Sequence, residues 1–225
     1  MSSGIRATGT GRVALRLLPM LPEGRIIGVD PAAAMLQRAR GKLLEPSRYR
    51  LVGGTAEGLP IHSGAADVVL ITFTLHHIAN ALAGLLEAYR ALKEGGRLVI
   101  LDPVAAEPDD ALDQELHRAV EVAMRPSQGA QFKFLTTSEV CAVIEQAGFA
   151  EVSATEIALT FAGEELEGVP SGPDWHEAFE ALADTPRLRE RFQARYLRFE
   201  GEPPRATGKV FFAAVGGTRR AVGSG

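Results

Sequence analysis

Short apolar segments and amphipathic segments alternate along residues 9–103, separated by short connections. Short apolar strands are predicted at Arg25–Asp30, Ala66–Ile71 and Arg97–Pro103, and the second is nearly all apolar, which is typical of a strand covered on both faces. Between the last two, leucines and a tyrosine recur at helical spacing over residues 82–92, and Gly95-Gly96 is predicted to end that helix. A strand–helix alternation of this kind predicts an α/β fold built on a parallel sheet.

The chain beyond residue 103 has a different character. Thr136–Glu139 is a capping box, which predicts the start of a helix that ends at Gly148. Two final strands are predicted at residues 151–157 and 209–215, with a helical hairpin between them. This half of the chain is therefore expected to add to the sheet and also to cover part of it.

We interpret residues 1–225 as a single domain because the sequence contains neither an internal repeat nor a low-complexity linker. Residues 1–103 form the predicted cofactor-binding half. Residues 104–135 and 158–208 are interpreted as a cap over the substrate site, at the sheet edge where the strands end.

The charge and composition of the chain restrict its partners. Its 24 Lys and Arg residues are balanced by 28 Asp and Glu residues, whereas a nucleic-acid-binding surface would carry a basic stripe. A single cysteine, Cys141, excludes an intrachain disulfide and leaves no cysteine cluster for a metal. No apolar run approaches the ~20 residues of a membrane span. We therefore expect a soluble, cytoplasmic protein with no metal and no nucleic-acid or membrane partner.

A glycine-rich turn and a later carboxylate have the spacing of a nucleoside site. Thr8-Gly9-Thr10-Gly11 precedes a predicted helix, and Asp30 follows 19 residues after Gly11 at the end of a strand. Glycines let the backbone approach a ligand, and a carboxylate at a strand end accepts the hydroxyls of a ribose. Asp30 could instead cap only the helix that begins at Pro31. Residues 9–14 also satisfy G-x-G-x-x-A, so a nicotinamide dinucleotide is an alternative ligand.

Six motifs, taken in order, resemble the class I S-adenosylmethionine-dependent methyltransferases. Within that family the chain is most similar to the branch that includes the ubiquinone/menaquinone-biosynthesis C-methyltransferases. The motifs are ATGTGR (7–12), GVDP (28–31), GTAEGLP (54–60), ADVV (66–69), LHHI (75–78) and LKEGGRL (92–98). The resemblance implies a Rossmann-like, doubly wound sheet of seven mostly parallel strands with an antiparallel last strand. It also implies S-adenosylmethionine as cofactor and a small-molecule methyl acceptor.

The same resemblance implies which residues bind the cofactor. They are Thr8, Gly9, Thr10, Gly11 and Arg12 in the first loop, Asp30, Pro31 and Met35 around the ribose and adenine, Thr55 and Ala56 at the adenine edge, and Ile71 and Thr72 beside the methionine part. His76 and His77 follow near the reacting methyl. A base is needed only if the acceptor must lose a proton, and a histidine suits that task. His76 is slightly preferred for it, while a packing or capping role is the alternative.

Three features depart from the family pattern. Only Met1–Arg6 precedes the glycine-rich turn, Ala7 replaces a glycine, and Thr55 stands where an acidic residue is common. A short first strand would leave its neighbours without a full partner and would weaken cofactor binding. An inactive methyltransferase-like binding protein is therefore the main alternative function, with an NAD(P)-dependent oxidoreductase as a lesser one. The acceptor, the methylated atom and the oligomeric state stay open.

Overall fold

The computed structural model describes residues 3–7, 9–42, 47–162, 175–200 and 205–220. Within them the strands form one sheet of eight, in the order β3-β2-β1-β4-β5-β8-β6, with β7 paired to β8. The strands are β1 (Ser3–Ala7), β2 (Arg25–Asp30), β3 (Tyr49–Gly53), β4 (Ala66–Thr72), β5 (Leu92–Val104), β6 (Ala150–Ala162), β7 (Leu197–Glu200) and β8 (Arg205–Thr218).

Strands β1 to β5 are parallel to one another, whereas β8 lies antiparallel between β5 and β6. The order runs outward from β1 in both directions, so the chain switches sides between β1 and β4. Ligands of open α/β sheets bind at the carboxyl ends of the strands at such a switch point. The Rossmann-like, mixed fold is thus as predicted, but β7 makes the sheet differ from the predicted seven strands.

Seven helices accompany the described strands. They are α1 (Arg12–Leu17), α2 (Ala33–Lys42), α3 (Ala81–Ala91), α4 (Ala111–Gln128), α5 (Thr137–Gln146), α6 (Trp175–Ala181) and α7 (Pro186–Arg195), with short 3-10 helices at Leu18–Met20 and Leu75–His77. The predicted capping box is present at α5, where Thr136 Oγ1 accepts the Glu139 N–H and the Glu139 carboxylate accepts the Thr136 N–H. Side-chain oxygens of Asn80 and Asp110 cap α3 and α4 by accepting the Ala83 and Asp113 N–H groups.

The short segment before the glycine-rich turn forms a complete central strand. Strand β1 pairs along all five of its residues with β2, from Ser3 opposite Arg25 to Ala7 opposite Val29. It also pairs with β4 around Ile5. The sequence had suggested that a short first strand would leave its neighbours without a partner. In the structure, the backbones of β2 and β4 are both hydrogen-bonded to β1.

Two helices also differ from what the sequence suggests. The helix predicted to reach Gly95-Gly96 ends at Ala91, because Leu92 is already extended and pairs with Ala66 at the start of β4. Residues 107–113 are acidic and residues 124–133 have no clear periodicity in the sequence, yet α4 extends over 18 residues there. It carries Pro126 near its end, and the polar residues around it obscured the helical pattern.

The cap elements have a core of their own. Buried side chains of α4, α6 and α7 pack with Phe132, Phe134 and Phe212 in a cluster distinct from the core between the sheet and α3 and α5. Tyr196 is buried in this cluster, and its hydroxyl accepts the Ala106 N–H at 3.0 Å. The predicted cap segment 158–208 also includes the end of β6 and the start of β8.

A buried carboxylate joins α4 to α7. The Asp113 side chain is 0% exposed and accepts hydrogen bonds from Arg191, Arg195 and the Asp109 N–H. Burial acts to raise the pKa of Asp113, but the hydrogen bonds from Arg195 and Asp109 outweigh it and hold this pKa below its usual value. Asp113 therefore stabilises the fold above its unfolded-state pKa, and this contribution is lost as the pH falls through the lower folded-state pKa.

We expect Asp113→Asn to destabilise the protein. Losing hydrogen bonds to a charged acceptor costs about 1.5–3 kcal/mol, which lowers the melting temperature of a chain of this size by roughly 3–12 °C. The matched control is Asp110→Asn, which keeps the α4 cap and alters an exposed ion pair with Arg191, so its melting temperature should change far less. Thermal unfolding followed by circular dichroism at neutral pH measures both. Equal melting temperatures for the two variants would contradict the role given to Asp113.

Candidate functional site

A cavity of about 350 Å³ lies at the carboxyl ends of β2, β3 and β4. This volume falls in the range of about 300–1,000 Å³ that is typical of small-molecule sites. Its wall includes six residues predicted from the sequence, namely Asp30, Pro31, Thr55, Ala56, Ile71 and His77. The structure thus brings together predicted ribose, adenine and acceptor contacts that are up to 47 residues apart in sequence (77 − 30).

Asp30 connects the glycine-rich turn to the cavity. Its Oδ2 accepts the Gly9 N–H and its Oδ1 accepts the Ala32 N–H, each at 2.9 Å. The second of these bonds is the helix-capping contact that the sequence offered as an alternative role. A carboxylate has about four acceptor positions, so these two bonds leave room for two ribose hydroxyls. The capping and the binding roles are therefore compatible.

The glycines of the first loop adopt left-handed backbone conformations. Gly9 has φ +46° and Gly11 has φ +78°, which a residue with a Cβ rarely adopts. Together with Thr10 and Arg12, they form the turn that leads into α1. None of these four belongs to the described cavity wall, and they approach it through the contact between Gly9 and Asp30. Thr8 lies outside the described residues.

Three further predicted residues are close in sequence to the wall but are not among its described residues. Met35 is half-buried in the first turns of α2, and Thr72 is the last residue of β4. His76 is buried, with 4% of its surface exposed, and its Nδ1 lies 2.7 Å from Asp102 Oδ2.

His77 lines the cavity beside its neighbour His76. The ring centroids of His76 and His77 are 4.0 Å apart, and the backbone carbonyl of Gln128 lies near the His77 ring. Burial lowers the pKa of His77 from the usual 6.5, and the nearby His76 lowers it further. The charge of Asp102 acts to raise this pKa but does not outweigh them. A lowered pKa keeps this imidazole neutral at neutral pH, which is the form that accepts a proton.

Glycines missed by the sequence analysis give the cavity its shape. A Cβ on Gly54 would lie 2.6 Å from Pro60 Cδ, and a Cβ on Gly84 of α3 would lie 3.3 Å from the Ala56 Cβ. Both positions line the cavity. A side chain at either position would push against the wall that holds Thr55 and Ala56, so the small residues keep the predicted adenine edge open.

Other functional candidates were not predicted at all. Glu57 lines the cavity beside Ala56, and Gln131 reaches it from the segment after α4. Asp102, near the end of β5, holds the loop that contains both histidines. An acid at the end of a buried strand was a visible signal for Asp102, but its partner could not be identified without the strand order.

The sequence matches the family described as "Methyltransferase domain" over residues 6–100. A ubiquinone/menaquinone biosynthesis C-methyltransferase of Syntrophotalea carbinolica is 32% identical over 161 residues, which cover 65% of this chain and 67% of that protein. The chain belongs to the S-adenosylmethionine-dependent methyltransferases. The family, the S-adenosylmethionine cofactor and the enzyme class predicted from the six motifs are thus confirmed.

Other relatives match this methyltransferase over shorter stretches. A demethylmenaquinone methyltransferase of Thermus thermophilus is 40% identical over 97 residues, which cover 43% of this chain and 44% of that protein. The shared region is therefore less than half the length of that relative.

Solved structures resemble the methyltransferase over nearly its whole length. The YcgJ protein of Bacillus subtilis has a TM-score of 0.74 at 20% identity, covering 98% of this chain and 92% of that one. A Haemonchus contortus phosphoethanolamine N-methyltransferase, solved in complex with S-adenosylmethionine, has a TM-score of 0.59 at 16% identity, covering 96% and 48%. These similarities support the class I methyltransferase fold, and neither the inactive-protein nor the oxidoreductase alternative gains support from them.

The residues of this methyltransferase fit its cofactor. The Asp30 carboxylate retains free acceptor positions at the cavity wall, and Gly54 and Gly84 hold open the space beside Thr55 and Ala56. Val69 of β4 and Ala88 of α3 add apolar side chains to the wall of this cavity. Among the described residues, no helix combines the length and the apolar character needed to cross a membrane.

Proposed function

We propose that this methyltransferase methylates a small hydroxylated aromatic acceptor of the quinol type, and that His77 acts as the base. The observation that carries the proposal is that Asp30 and His77, one suited to a ribose and the other to proton transfer, line the same cavity. The names of the sequence relatives, which refer to ubiquinone, menaquinone and demethylmenaquinone, support the acceptor class.

Each wall of the cavity has a separate part in the proposed reaction. Asp30 binds the ribose hydroxyls, with Gly9 and Gly11 beside it in the first loop, and Pro31, Thr55 and Ala56 surround the adenine. Thr8, Thr10, Arg12, Met35, Ile71 and Thr72 complete the proposed cofactor-binding set. When bound, S-adenosylmethionine supplies a methyl group on a positively charged sulfur.

The proton transfer is assigned to the imidazole of His77. An aromatic hydroxyl that loses its proton makes the ring carbons next to it more nucleophilic, so C-methylation of such a ring benefits from a base. A neutral imidazole within the cavity accepts that proton, and positioned general bases typically contribute about 10²–10⁴-fold to the rate. The rest of the rate comes from alignment of the reacting groups.

The cap and the cellular setting are part of the same proposal. Residues 104–135 and 158–208 would cover the acceptor, and Gln131 of the first segment already lines the cavity. The near balance of 24 basic and 28 acidic residues supports a small acceptor in place of a nucleic acid. We place the reaction in the cytoplasm, in keeping with a chain that carries one cysteine.

Calorimetric titration with S-adenosylhomocysteine, and in parallel with NADH, tests the cofactor site. We expect about micromolar binding of S-adenosylhomocysteine, equivalent to about −8 kcal/mol, and no binding of NADH. We expect the ribose hydroxyls of S-adenosylhomocysteine to bind the Asp30 carboxylate at the cavity wall. A folded sample that binds neither ligand would favour the inactive-protein alternative, and selective NADH binding would favour the oxidoreductase.

A further inference from the structure

Asp102 is a buried carboxylate that holds the loop between β4 and α3. It is 2% exposed, and its Oδ1 accepts the N–H groups of Thr74 and Leu75 at 2.7 and 3.3 Å. Its Oδ2 accepts the N–H of His76 at 3.0 Å and faces Nδ1 of the same residue at 2.7 Å. Three consecutive backbone amides and one ring nitrogen of this loop therefore converge on one side chain of β5.

This set of donors requires a carboxylate. Both oxygens of Asp102 face N–H groups, and a carboxylate can accept at both. An asparagine would place its NH₂ group against at least one of these donors. Because a carboxylate accepts and does not donate, Nδ1 of His76 is assigned as the protonated ring nitrogen in this pair.

His76 extends this arrangement towards both the cap and the cavity. Its carbonyl accepts the Lys133 N–H at 3.0 Å, and its ring packs edge-on against Phe132 at 5.8 Å. On its other side lies the ring of His77, at 4.0 Å. His76 thus contacts β5, the segment after α4, and His77, which lines the cavity.

We propose that Asp102 and His76 form a positioning pair, which holds the loop over residues 74–77 so that His77 faces the acceptor. This inference rests on the proposed role of His77 as the base. In this proposal His76 does not contact the substrate. Its Nδ1 is hydrogen-bonded to Asp102 and its ring packs against Phe132, so it acts by positioning His77. The role assigned to Asp102 is to fix the backbone from which His77 projects.

Three variants separate this role from direct catalysis by His76. In His76→Asn the amide nitrogen occupies the place of Nδ1 and can still donate to Asp102, whereas His76→Phe keeps a ring but has no donor. Asp102→Asn retains the size of the side chain but has only one accepting oxygen. Each is compared with His77→Asn, using S-adenosylmethionine and a water-soluble naphthohydroquinone as the acceptor probe.

We expect His76→Phe and Asp102→Asn each to lower kcat by about 10²-fold, the typical effect of misplacing a reacting group by about 1 Å. The KM for S-adenosylmethionine should stay close to that of the unaltered enzyme, and His76→Asn should recover most of the lost kcat. Equal loss in His76→Asn and His76→Phe, with an active His77→Asn, would make His76 the base and overturn the proposal. Full activity of His76→Phe would also overturn it.

Amide hydrogen exchange tests the positioning independently of turnover. In Asp102→Asn, the amides of Thr74, Leu75 and His76 should exchange faster, while the core amides of β4 keep their protection. Unchanged exchange at the three loop amides would overturn the proposal even if the acceptor probe is not turned over. Absence of S-adenosylhomocysteine binding by the unaltered protein would instead refute the proposed function, so the two failures are distinguishable. If Asp102→Asn does not fold, the kcat values of the two variants His76→Asn and His76→Phe decide the outcome.

Discussion

Asp30→Ala is expected to weaken S-adenosylhomocysteine binding roughly 10- to 150-fold, because a lost hydrogen bond to a charged acceptor costs about 1.5–3 kcal/mol. The carboxylate is expected to contribute in two ways. It accepts hydroxyl groups of the bound ribose directly, and it holds the first loop through the Gly9 N–H. Isothermal titration calorimetry of the purified variant measures the loss.

A matched variant separates the direct contribution from the effect on the loop. Asp30→Asn keeps one accepting oxygen for a backbone N–H, but it loses the charge that strengthens bonds to the ribose. We expect its affinity to lie between those of Asp30→Ala and the unaltered protein. Asp184→Ala, which removes an exposed carboxylate between α6 and α7, should bind normally. Normal affinity of Asp30→Ala would remove Asp30 from the cofactor site.

Periodicity in the sequence predicted most of the sheet because the central strands are buried on both faces. Strand β2 begins and ends at the predicted residues, and β4 is longer than predicted by one residue, Thr72. Strand β7 was missed because it has only four residues, and its pairing with β8 depends on contacts that are distant in sequence. Short strands of this kind carry little local signal.

The missed helix α4 did have a sequence signal. Asp110 caps it, Asp113 lies in its first turn, and Leu116, Val120 and Met124 recur at intervals of four and are all buried. Acidic residues at a helix start complement the helix dipole. In the sequence the same acids, together with the residues around Pro126, resembled a polar connection.

The sequence could place a candidate site residue when that residue lies at, or shortly after, the end of a strand visible in the sequence. Asp30 ends β2 and His77 lies in the loop after β4, and both predicted residues line the cavity at the switch point. Asp102 was not found, because its role requires β4 to lie beside β5 and brings together groups 26 residues apart. The preference between His76 and His77 was likewise undecidable from two adjacent identical residues.

The contacts of the two histidines indicate different roles. His76 is buried and uses its Nδ1 for Asp102, so its ring is held by the protein. His77 lines the cavity and has a lowered pKa, so its ring is available to a ligand as a neutral acceptor. We therefore propose a structural role for His76 and a chemical role for His77, and substitutions of the two should produce different patterns of loss.

His77→Asn should lower kcat by about 10²–10⁴-fold if this imidazole is the general base. The affinity for S-adenosylhomocysteine should change little, because the ribose contact lies at Asp30, at the end of a different strand. Turnover of a naphthohydroquinone with S-adenosylmethionine measures kcat, and calorimetry measures the affinity. His62→Asn, which alters an exposed histidine, is the matched control and should retain full activity.

The pH dependence gives a second check on the same residue. Only the neutral imidazole accepts a proton, so kcat should rise with pH through an apparent pKa below the usual 6.5 and level off near neutrality. His76 and the surrounding protein lower that pKa and Asp102 opposes them, while Asp30 and Glu57 are the other acids on the cavity wall. In His77→Asn, kcat should be low and should no longer rise with pH in the acidic range. A variant that loses rate but retains this rise would show that another group accepts the proton.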